Sequence, residues 1–333
     1  MGFARAGFEV VGVDVSETAG RAFELNRIGK FVRADISKEP VQGDFDIIIG
    51  GPPCKPWSAV NTTRRGKNHR DYQLLSKFFR NVERQMPRIF VLENVPLLAN
   101  DETLRRNVRR LSKRGYSIMG RIIKYGDYGA PTSRHRFFLF GTREKDAARF
   151  FDKLSAYSCS PKTVKDVIWN LRNKQKGEVP DHVWPELKTI DKYMKNYVEK
   201  KFGWYILKWN EPAPSFGNIM KTYILHPDSF NGRLTRVISV REALLIMGFD
   251  EAWEFPERVG LGAKYQMIVD AVRIQAKADP ENVASWKALE EAGFKREGVL
   301  RKTFYCRGKW RDDCIYSVLR EEWKEPRILK RAT

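Results

Sequence analysis

Cysteine and histidine are scarce in this chain, whose 333 residues include only four of each. The cysteines form no C-x-x-C pair and the histidines are scattered, so the sequence shows no pattern of metal ligands. No uninterrupted apolar run approaches the length of about 18 residues that crosses a bilayer, and no signal peptide opens the chain. We therefore expect a soluble, cytoplasmic protein with neither a bound metal nor a membrane partner.

Acidic residues are too few to balance the basic ones. The chain has 41 Asp and Glu against 61 Lys and Arg, a formal net charge of +20. Such an excess of cations predicts a polyanionic partner. Residues 104–124 alone contain eight basic residues and no acid. A solvated helix face and a phosphate-contacting face explain that stretch equally well.

Short apolar runs alternate with helical stretches over residues 2–143. The candidate strands are Glu9–Val13, Lys30–Arg33, Phe45–Gly50, Ile89–Leu92, Ser117–Lys124 and Phe137–Thr142. The candidate helices include Asp71–Gln85 and Asp101–Arg114. This alternation predicts an α/β fold with a doubly wound, mostly parallel, Rossmann-like sheet. In such sheets, ligands bind at the carboxyl ends of the strands.

Changes of composition along the chain predict its domains. We expect an α/β domain over residues 1–150, followed by a small irregular domain over 151–235, where Pro, Trp and Lys are frequent. Residues 236–272 would return to the first domain. Residues 273–333 would form an α+β appendage.

Three segments place reactive side chains at the ends of predicted strands. They are Gly50-Gly51-Pro52-Pro53-Cys54, Glu93-Asn94-Val95 and Arg134-His135-Arg136. A lone cysteine is most often a small buried side chain. A lone glutamate at this position is as often a helix N-cap as a catalytic acid. The rigid Pro-Pro-Cys turn and the order of the three segments favour catalytic roles for both.

In motif order and spacing, these segments resemble the DNA (cytosine-5) methyltransferases. The resemblance implies methyl transfer from S-adenosylmethionine to C5 of a cytosine flipped out of double-stranded DNA. It implies Cys54 as the nucleophile at C6 and Glu93 as the acid near N3. It further implies that Asn94 positions this segment, that Arg136 contacts O2 of the base, and that Arg134 orders the nucleophile loop and a phosphate.

The same resemblance implies residues for the cofactor and for DNA. Acids at strand ends bind ribose hydroxyls in such sheets, and the cofactor set would be Asp14, Val15, Asp35, Ile36, Pro53 and Asp270. The stretch 57–72 is similar to the family's loop that closes over DNA. The DNA set would be Ser58, Arg64, Arg65, Lys67 and Arg241.

Residues 165–171 and 208–213 are similar to segments of bacterial methyltransferases that read GGCC. That similarity implies a restriction-modification enzyme, expected to be a monomer, with a cognate restriction endonuclease as a further partner. Residues 273–325 resemble the last third of GCN5-related N-acetyltransferases, without that family's upstream pyrophosphate turn.

The family's opening strand and Phe-x-Gly-x-Gly loop have no counterpart in this sequence, which starts on residues similar to the helix that follows them. This leaves three alternatives open. One is a DNA-binding remnant without turnover, and another is an N-acetyltransferase. The third is tRNA methylation, which is disfavoured because the Cys-Phe-Thr tripeptide of that branch is missing.

Overall fold

A computed structural model of the chain describes residues 2–5, 8–58, 66–144, 146–186, 190–201, 203–222, 224–231, 235–270, 295–306 and 309–317. The chain divides into two compact units. The smaller unit comprises residues 1–12, 20–32 and 273–333, and the larger one comprises 13–19 and 33–272. All catalytic candidates belong to the larger unit. The domain boundaries drawn from composition stay predictions.

The described elements follow the predicted ones closely along the first 143 residues. The helices are α1 Gly2–Arg5, α2 Glu17–Leu25, α3 Gln73–Gln85, α4 Glu102–Ser112, α5 Ala148–Ser155, α6 Val164–Ile168, α7 Met194–Val198, α8 Ile219–Thr222, α9 Val240–Ile246 and α10 Leu261–Asp270. The strands are β1 Val11–Asp14, β2 Lys30–Arg33, β3 Ile47–Gly50, β4 Ile89–Asn94, β5 Ser117–Lys124, β6 His135–Thr142, β7 Tyr205–Ile206, β8 Ile224–Leu225, β9 Lys295–Cys306 and β10 Lys309–Ser317.

A four-stranded sheet in the order β3-β4-β6-β5 forms the frame of the larger unit. Strands β3 and β4 are parallel, whereas β6 is antiparallel to both β4 and β5. Strand β6 is thus the one reversed strand of this sheet, since β5 runs in the same direction as β3 and β4. The connection between β5 and β6 contains only a short 3-10 helix, and strands joined without a crossover helix pair antiparallel. Because β6 is buried on both faces, its apolar run reads like that of a parallel strand.

Helices α3 and α4 supply much of the core next to this sheet. Helix α3 buries Leu75, Phe79 and Val82, which recur at the spacing of one helical face. Helix α4 buries Leu104 and Leu111 on one side and begins at an Asp101 N-cap. These side chains pack in one cluster with Phe90, Leu92 and Leu139 of the sheet.

A second core lies under the irregular region and draws in α9 and α10. Helix α9 starts with a capping box, in which Ser239 and Glu242 satisfy each other's backbone amides. Arg236 donates to both oxygens of the buried Glu242 at 2.7 and 2.8 Å. Burial acts to raise the pKa of Glu242, but these hydrogen bonds and the charge of Arg236 hold it below its usual value. The pair therefore stays ionised inside this core.

Strands β1 and β2 form a separate two-stranded sheet. The described part of the C-terminal segment is an antiparallel hairpin, β9–β10. The rest of that segment lies outside the described residues.

Candidate active site

The carboxyl ends of β3 and β4 lie at the same edge of the sheet, because these strands are parallel with Gly50 opposite Leu92. The turn with Cys54 follows β3, and β4 ends in Glu93 and Asn94. A Cβ on Gly50 would approach the Phe78 ring to 2.4 Å, so a glycine is what lets the end of β3 lie against α3. The sheet thus brings the first two predicted motifs together.

Asn94 joins the two segments directly. Its Nδ2 donates to the carbonyl oxygen of Pro52 at 2.8 Å, and its Oδ1 accepts the Val95 backbone amide at 2.9 Å. The side chain is buried. Asn94 therefore fixes the turn two residues before Cys54, and its role in positioning this segment for catalysis stays a prediction.

Cys54 is half-buried and stands at the start of the 3-10 helix Lys55–Trp57. Its carbonyl oxygen accepts the Trp57 backbone amide at 2.9 Å. The Trp57 ring is buried, and its Nε1 donates to Asp101 Oδ2 at 2.9 Å. The cysteine thus lies in a turn that is held at both of its ends.

Glu93 and Arg136 form a close ion pair. Arg136 Nε lies 2.9 Å from Glu93 Oε1, and the two side chains are only 12% and 11% exposed. Burial raises the pKa of Glu93 to about 6, although Arg136 acts in the opposite direction. A carboxyl with such a pKa can hold or release a proton near neutral pH, as a general acid requires.

Tyr125 lies close enough to this ion pair for the charges of Glu93 and Arg136 to act on its hydroxyl. The sequence motifs did not predict this. Burial raises the pKa of its hydroxyl, and the nearby charge of Glu93 raises it further. The phenol is therefore neutral at physiological pH. No sequence signal marks Tyr125, since it lies between β5 and β6 outside any of the three segments.

Arg134 is placed differently from its predicted role. Its guanidinium is buried and donates to the carbonyl oxygens of Phe216 at 3.3 Å and Val269 at 3.0 Å. These bonds tie the start of β6 to the irregular region and to α10. Arg134 would have to leave both carbonyls to bind a phosphate, so ordering of the nucleophile loop by this residue stays a prediction.

The acids at the ends of β1 and β2 suit an adenosine-containing cofactor. The backbone amide of Ala34 donates to the Asp14 carbonyl oxygen at 3.1 Å, which holds the two strand ends side by side. Hydrogen bonds from Ser37 hold the pKa of Asp35 below its usual range. The carboxylates of exposed Asp14 and half-buried Asp35 can accept hydrogen bonds from hydroxyls or an amino group, and exposed Val15 adds apolar surface for a purine.

Three further members of the predicted cofactor set have different surroundings. Ile36 is half-buried next to Asp35, and Pro53 is exposed next to Cys54. Asp270 is the last residue of α10, and its side chain lies outside the described part.

The predicted DNA contacts fall into two groups. Ser58 is half-buried directly after the Cys54 turn, and Lys67 is exposed and lies 3.6 Å from Glu102. Arg64 and Arg65 lie outside the described residues. These four remain candidates for contact with DNA.

Arg241 differs from its predicted place on the DNA surface. It is buried at the start of α9 and donates to the carbonyl oxygens of Pro180, Glu251 and Trp253 at 2.8 to 3.2 Å. It also pairs with Asp181 at 3.4 Å. A guanidinium occupied in this way supports the irregular region from inside and does not face a ligand. The resemblance implied a DNA contact for Arg241, and sequence spacing did not reveal this burial.

Metal and membrane candidates are absent from the part of the chain that the structure describes. Within those ranges, no three His, Cys, Asp or Glu residues lie close enough together to hold a metal ion. None of the described helices combines the length and the apolar composition that a transmembrane segment needs.

Comparison with known proteins adds independent information. The model of the C-5 cytosine-specific DNA methylase family matches residues 1–278. Type II methyltransferase M.FnuDI from Fusobacterium nucleatum is 26% identical over 82% of this chain and 87% of its own. Type II methyltransferase M.MthTI from Methanothermobacter thermautotrophicus is 27% identical over 90% and 95%.

Solved structures agree in fold. The S. pombe Dnmt2 methyltransferase superimposes with a TM-score of 0.61 at 16% identity, over 81% of this chain and 91% of that one. A protein described as a prophage-encoded DNA modification methyltransferase of E. coli gives 0.60 at 22% identity, over 81% and 90%. At these identities the likeness establishes the α/β methyltransferase fold alone.

Proposed function

Because the chain belongs to the C-5 cytosine-specific DNA methylase family, we propose that it methylates C5 of a cytosine in double-stranded DNA through a covalent adduct with Cys54. One observation carries the proposal. The Asn94 side chain holds the Cys54 turn through Pro52 at 2.8 Å, immediately beside the buried Glu93–Arg136 pair. The nucleophile and the acid are thereby brought to the same edge of the sheet.

Cys54 solves the main difficulty of the reaction. C5 of cytosine is too electron-poor to attack a methyl donor. When the Cys54 thiolate adds to C6, the S–C6 bond forms and the electrons of the C5–C6 double bond become available at C5. After methylation, C5 loses its proton and the S–C6 bond breaks, which restores the double bond and the thiolate.

Glu93 and Arg136 stabilise the negative charge that develops on the base. Addition at C6 pushes electron density towards N3 and O2. Glu93, with its pKa raised to about 6, donates a proton or a strong hydrogen bond to N3. Arg136 carries a fixed positive charge for O2, and its ion pair with Glu93 orients the carboxyl.

S-adenosylmethionine, when bound, supplies the methyl group. Asp14 and Asp35 are the acceptors that this chain offers to its ribose and adenine, with Val15 and Ile36 as apolar neighbours. The donor chemistry of these four residues fits an adenosine. We assign Pro53 and Asp270 to the same cofactor surface on the resemblance of their motifs.

The target cytosine must leave the helix to reach Cys54, since neither face of a stacked base is open to attack. We infer that Ser58, Lys67, Arg64 and Arg65 contact DNA during this step. Their position directly after the nucleophile in sequence and the net charge of +20 support this.

The finer assignments rest on sequence similarity. We propose GGCC as the recognition sequence, because residues 165–171 and 208–213 are similar to segments that read it. The relatives' names contain the term type II methyltransferase, which supports a restriction-modification role with a cognate endonuclease. We propose that the protein is a monomer. We also propose that residues 273–333 have a passive role, and a full-length chain that does not bind coenzyme A would support this.

Transfer of labelled methyl from S-adenosylmethionine to unmethylated duplex DNA tests the proposed function. The wild type should label cytosine, and Cys54→Ala should abolish the label because the proposed adduct needs the Cys54 thiol. Sequencing of the methylated positions would show whether they are GGCC. Salt-dependent DNA binding without any label would instead favour a DNA-binding remnant.

A further inference from the structure

The two carboxylate oxygens of Asp101 share the Tyr72 hydroxyl, at 3.0 and 2.9 Å, but otherwise accept from different segments. Oδ1 accepts the backbone amides of Thr103 at 2.7 Å and Leu104 at 3.1 Å, which caps α4. Oδ2 accepts Nε1–H of Trp57 at 2.9 Å. One side chain therefore connects the first turn of α4 with the 3-10 helix that begins directly after Cys54.

This 3-10 helix cannot keep its place by itself. It has three residues, and its backbone hydrogen bonds run from Trp57 to Cys54 at 2.9 Å and from Ser58 to Lys55 at 3.5 Å. Such short 3-10 segments have little stability of their own. Their position depends on tertiary contacts, and here Trp57 provides them with a ring that is only 6% exposed.

Tyr72 completes the anchor around Trp57. The two ring centroids are 5.4 Å apart, and the Tyr72 hydroxyl lies 2.9 Å from Asp101 Oδ2. That hydroxyl is also 2.9 Å from Thr103 Oγ1. The carboxylate of Asp101 is thus the point at which the downstream end of the Cys54 turn is fastened.

Cys54 is consequently held from both sides by one stretch of chain. Asn94 binds Pro52 upstream of the cysteine, and Asp101 binds Trp57 downstream of it. Both follow Glu93 at the end of β4. We propose that Asp101 is a positioning residue that sets the place of the Cys54 thiol relative to the acid, an inference that rests on the proposed function.

A purely structural role for Asp101 as the cap of α4 makes a different prediction. In Asp101→Asn, the remaining oxygen can still cap the helix, but an amide N–H₂ would replace Oδ2 and face the Trp57 donor. Trp57→Phe removes the same hydrogen bond from the other side and keeps an aromatic ring. Both variants therefore break the anchor without removing the cap.

Adduct formation on fluorinated DNA measures the placement of Cys54. The probe is a duplex with 5-fluorocytosine in place of cytosine, mixed with the full chain and S-adenosylmethionine. Fluorine cannot leave C5 as a proton does, so the adduct accumulates and is counted on denaturing gels. At saturating DNA, we expect Asp101→Asn and Trp57→Phe to form it about tenfold more slowly or worse, because small displacements of reacting groups are costly.

DNA affinity and a matched control complete the test. The Kd for duplex DNA should stay within about twofold of the wild type in Asp101→Asn, since Asp101 is not among the residues assigned to DNA contact. Asp146→Asn is the control, because Asp146 Oδ1 accepts the Ala148 amide at 3.0 Å at the start of α5, away from the site. It should react at the wild-type rate.

The outcomes separate the inference from the proposed function. Wild-type rates in Asp101→Asn or in Trp57→Phe would overturn the positioning role, since the two variants share only the lost hydrogen bond. A rate loss explained entirely by weaker DNA binding would overturn it as well. If the wild type itself formed no adduct, the proposed function would fail, whatever the variants did.

Discussion

Glu93 keeps its proton to a higher pH than an exposed glutamate does. The cause is its burial at the end of β4, which disfavours the charged form more than the Arg136 guanidinium favours it. This balance matters for the proposed chemistry, because a carboxylate that its arginine kept fully ionised would have no proton to donate to N3. The same pKa has a consequence for stability that needs no substrate to observe.

Folding stability should depend on pH through Glu93. Between pH 4.5 and about 6, the native chain holds a proton that the unfolded chain has already released. The native state then binds more protons, so stability falls as the pH rises through this window. Urea unfolding gives the free energy of unfolding of the wild type and of Glu93→Gln. The wild-type value minus the variant value should fall by about 1 kcal/mol from pH 5 to pH 8.

Glu186→Gln provides the comparison, since the Glu186 side chain is 82% exposed in its pair with Lys176. Its stability difference from the wild type should be the same at both pH values. A difference for Glu93→Gln that is also constant with pH would contradict the burial of Glu93 as the cause of its raised pKa.

At the scale of elements, α4 and the two residues that follow it carry most of the basic side chains of the stretch 104–124, for which a solvated face and a phosphate-contacting face are both open. Arg110 and Arg114 lie 3.3 and 3.5 Å from Glu83 of α3 and are therefore engaged in ion pairs. Arg105, Arg109 and Lys113 are exposed one turn apart, and no described acid lies within 4 Å of them. Three exposed cations on one face, with no acidic partner among the described residues, favour a phosphate-contacting surface over a merely solvated one.

Replacing Arg105, Arg109 and Lys113 with glutamine should weaken DNA binding in a salt-dependent way. Each lost phosphate contact reduces the slope of log Kd against log salt concentration by about 1. For a duplex titrated at several salt concentrations, the slope should therefore be smaller by about 3 in the triple variant. Arg88→Gln is the control. Arg88 directly precedes β4, at the opposite end of that strand from Glu93, and forms an ion pair with Glu144. A slope unchanged in the triple variant would leave α4 as a solvated face.

The sequence predicted elements better than it predicted how they pair. Buried runs such as Ile89–Leu92 and Phe137–Thr142 are visible as strands because they are apolar and short. Their direction is not written in that pattern, and β6 proved antiparallel. Arg241 shows the same limit within α9, since its burial depends on carbonyls of residues 180, 251 and 253 that no local pattern reveals.

At the scale of the whole molecule, the candidate site gathers residues that are far apart in sequence. Cys54, Glu93 and Arg136 were predicted because each belongs to a short motif with a fixed order. Asp101 and Tyr125 were missed because what places them near the site is the fold: Asp101 hydrogen-bonds to Trp57, and Tyr125 lies in the field of the Glu93 charge. All five lie in the unit formed by residues 13–19 and 33–272.

The family match over residues 1–278 includes this whole site. The family acts at C5 of cytosine. What the family match does not fix is which residue of this chain forms the covalent adduct. A covalent Cys54 mechanism has meaning only for C5, because an amino nitrogen needs no prior addition at C6.

Mass spectrometry of nucleosides tests this claim most directly. Duplex DNA is incubated with the full chain and S-adenosylmethionine that carries an isotopically labelled methyl group, then digested and separated. We predict that all of the label is in 5-methylcytosine for the wild type and that none is found for Cys54→Ser. Label in N4-methylcytosine or N6-methyladenine, or 5-methylcytosine that persists in Cys54→Ser, would contradict the account.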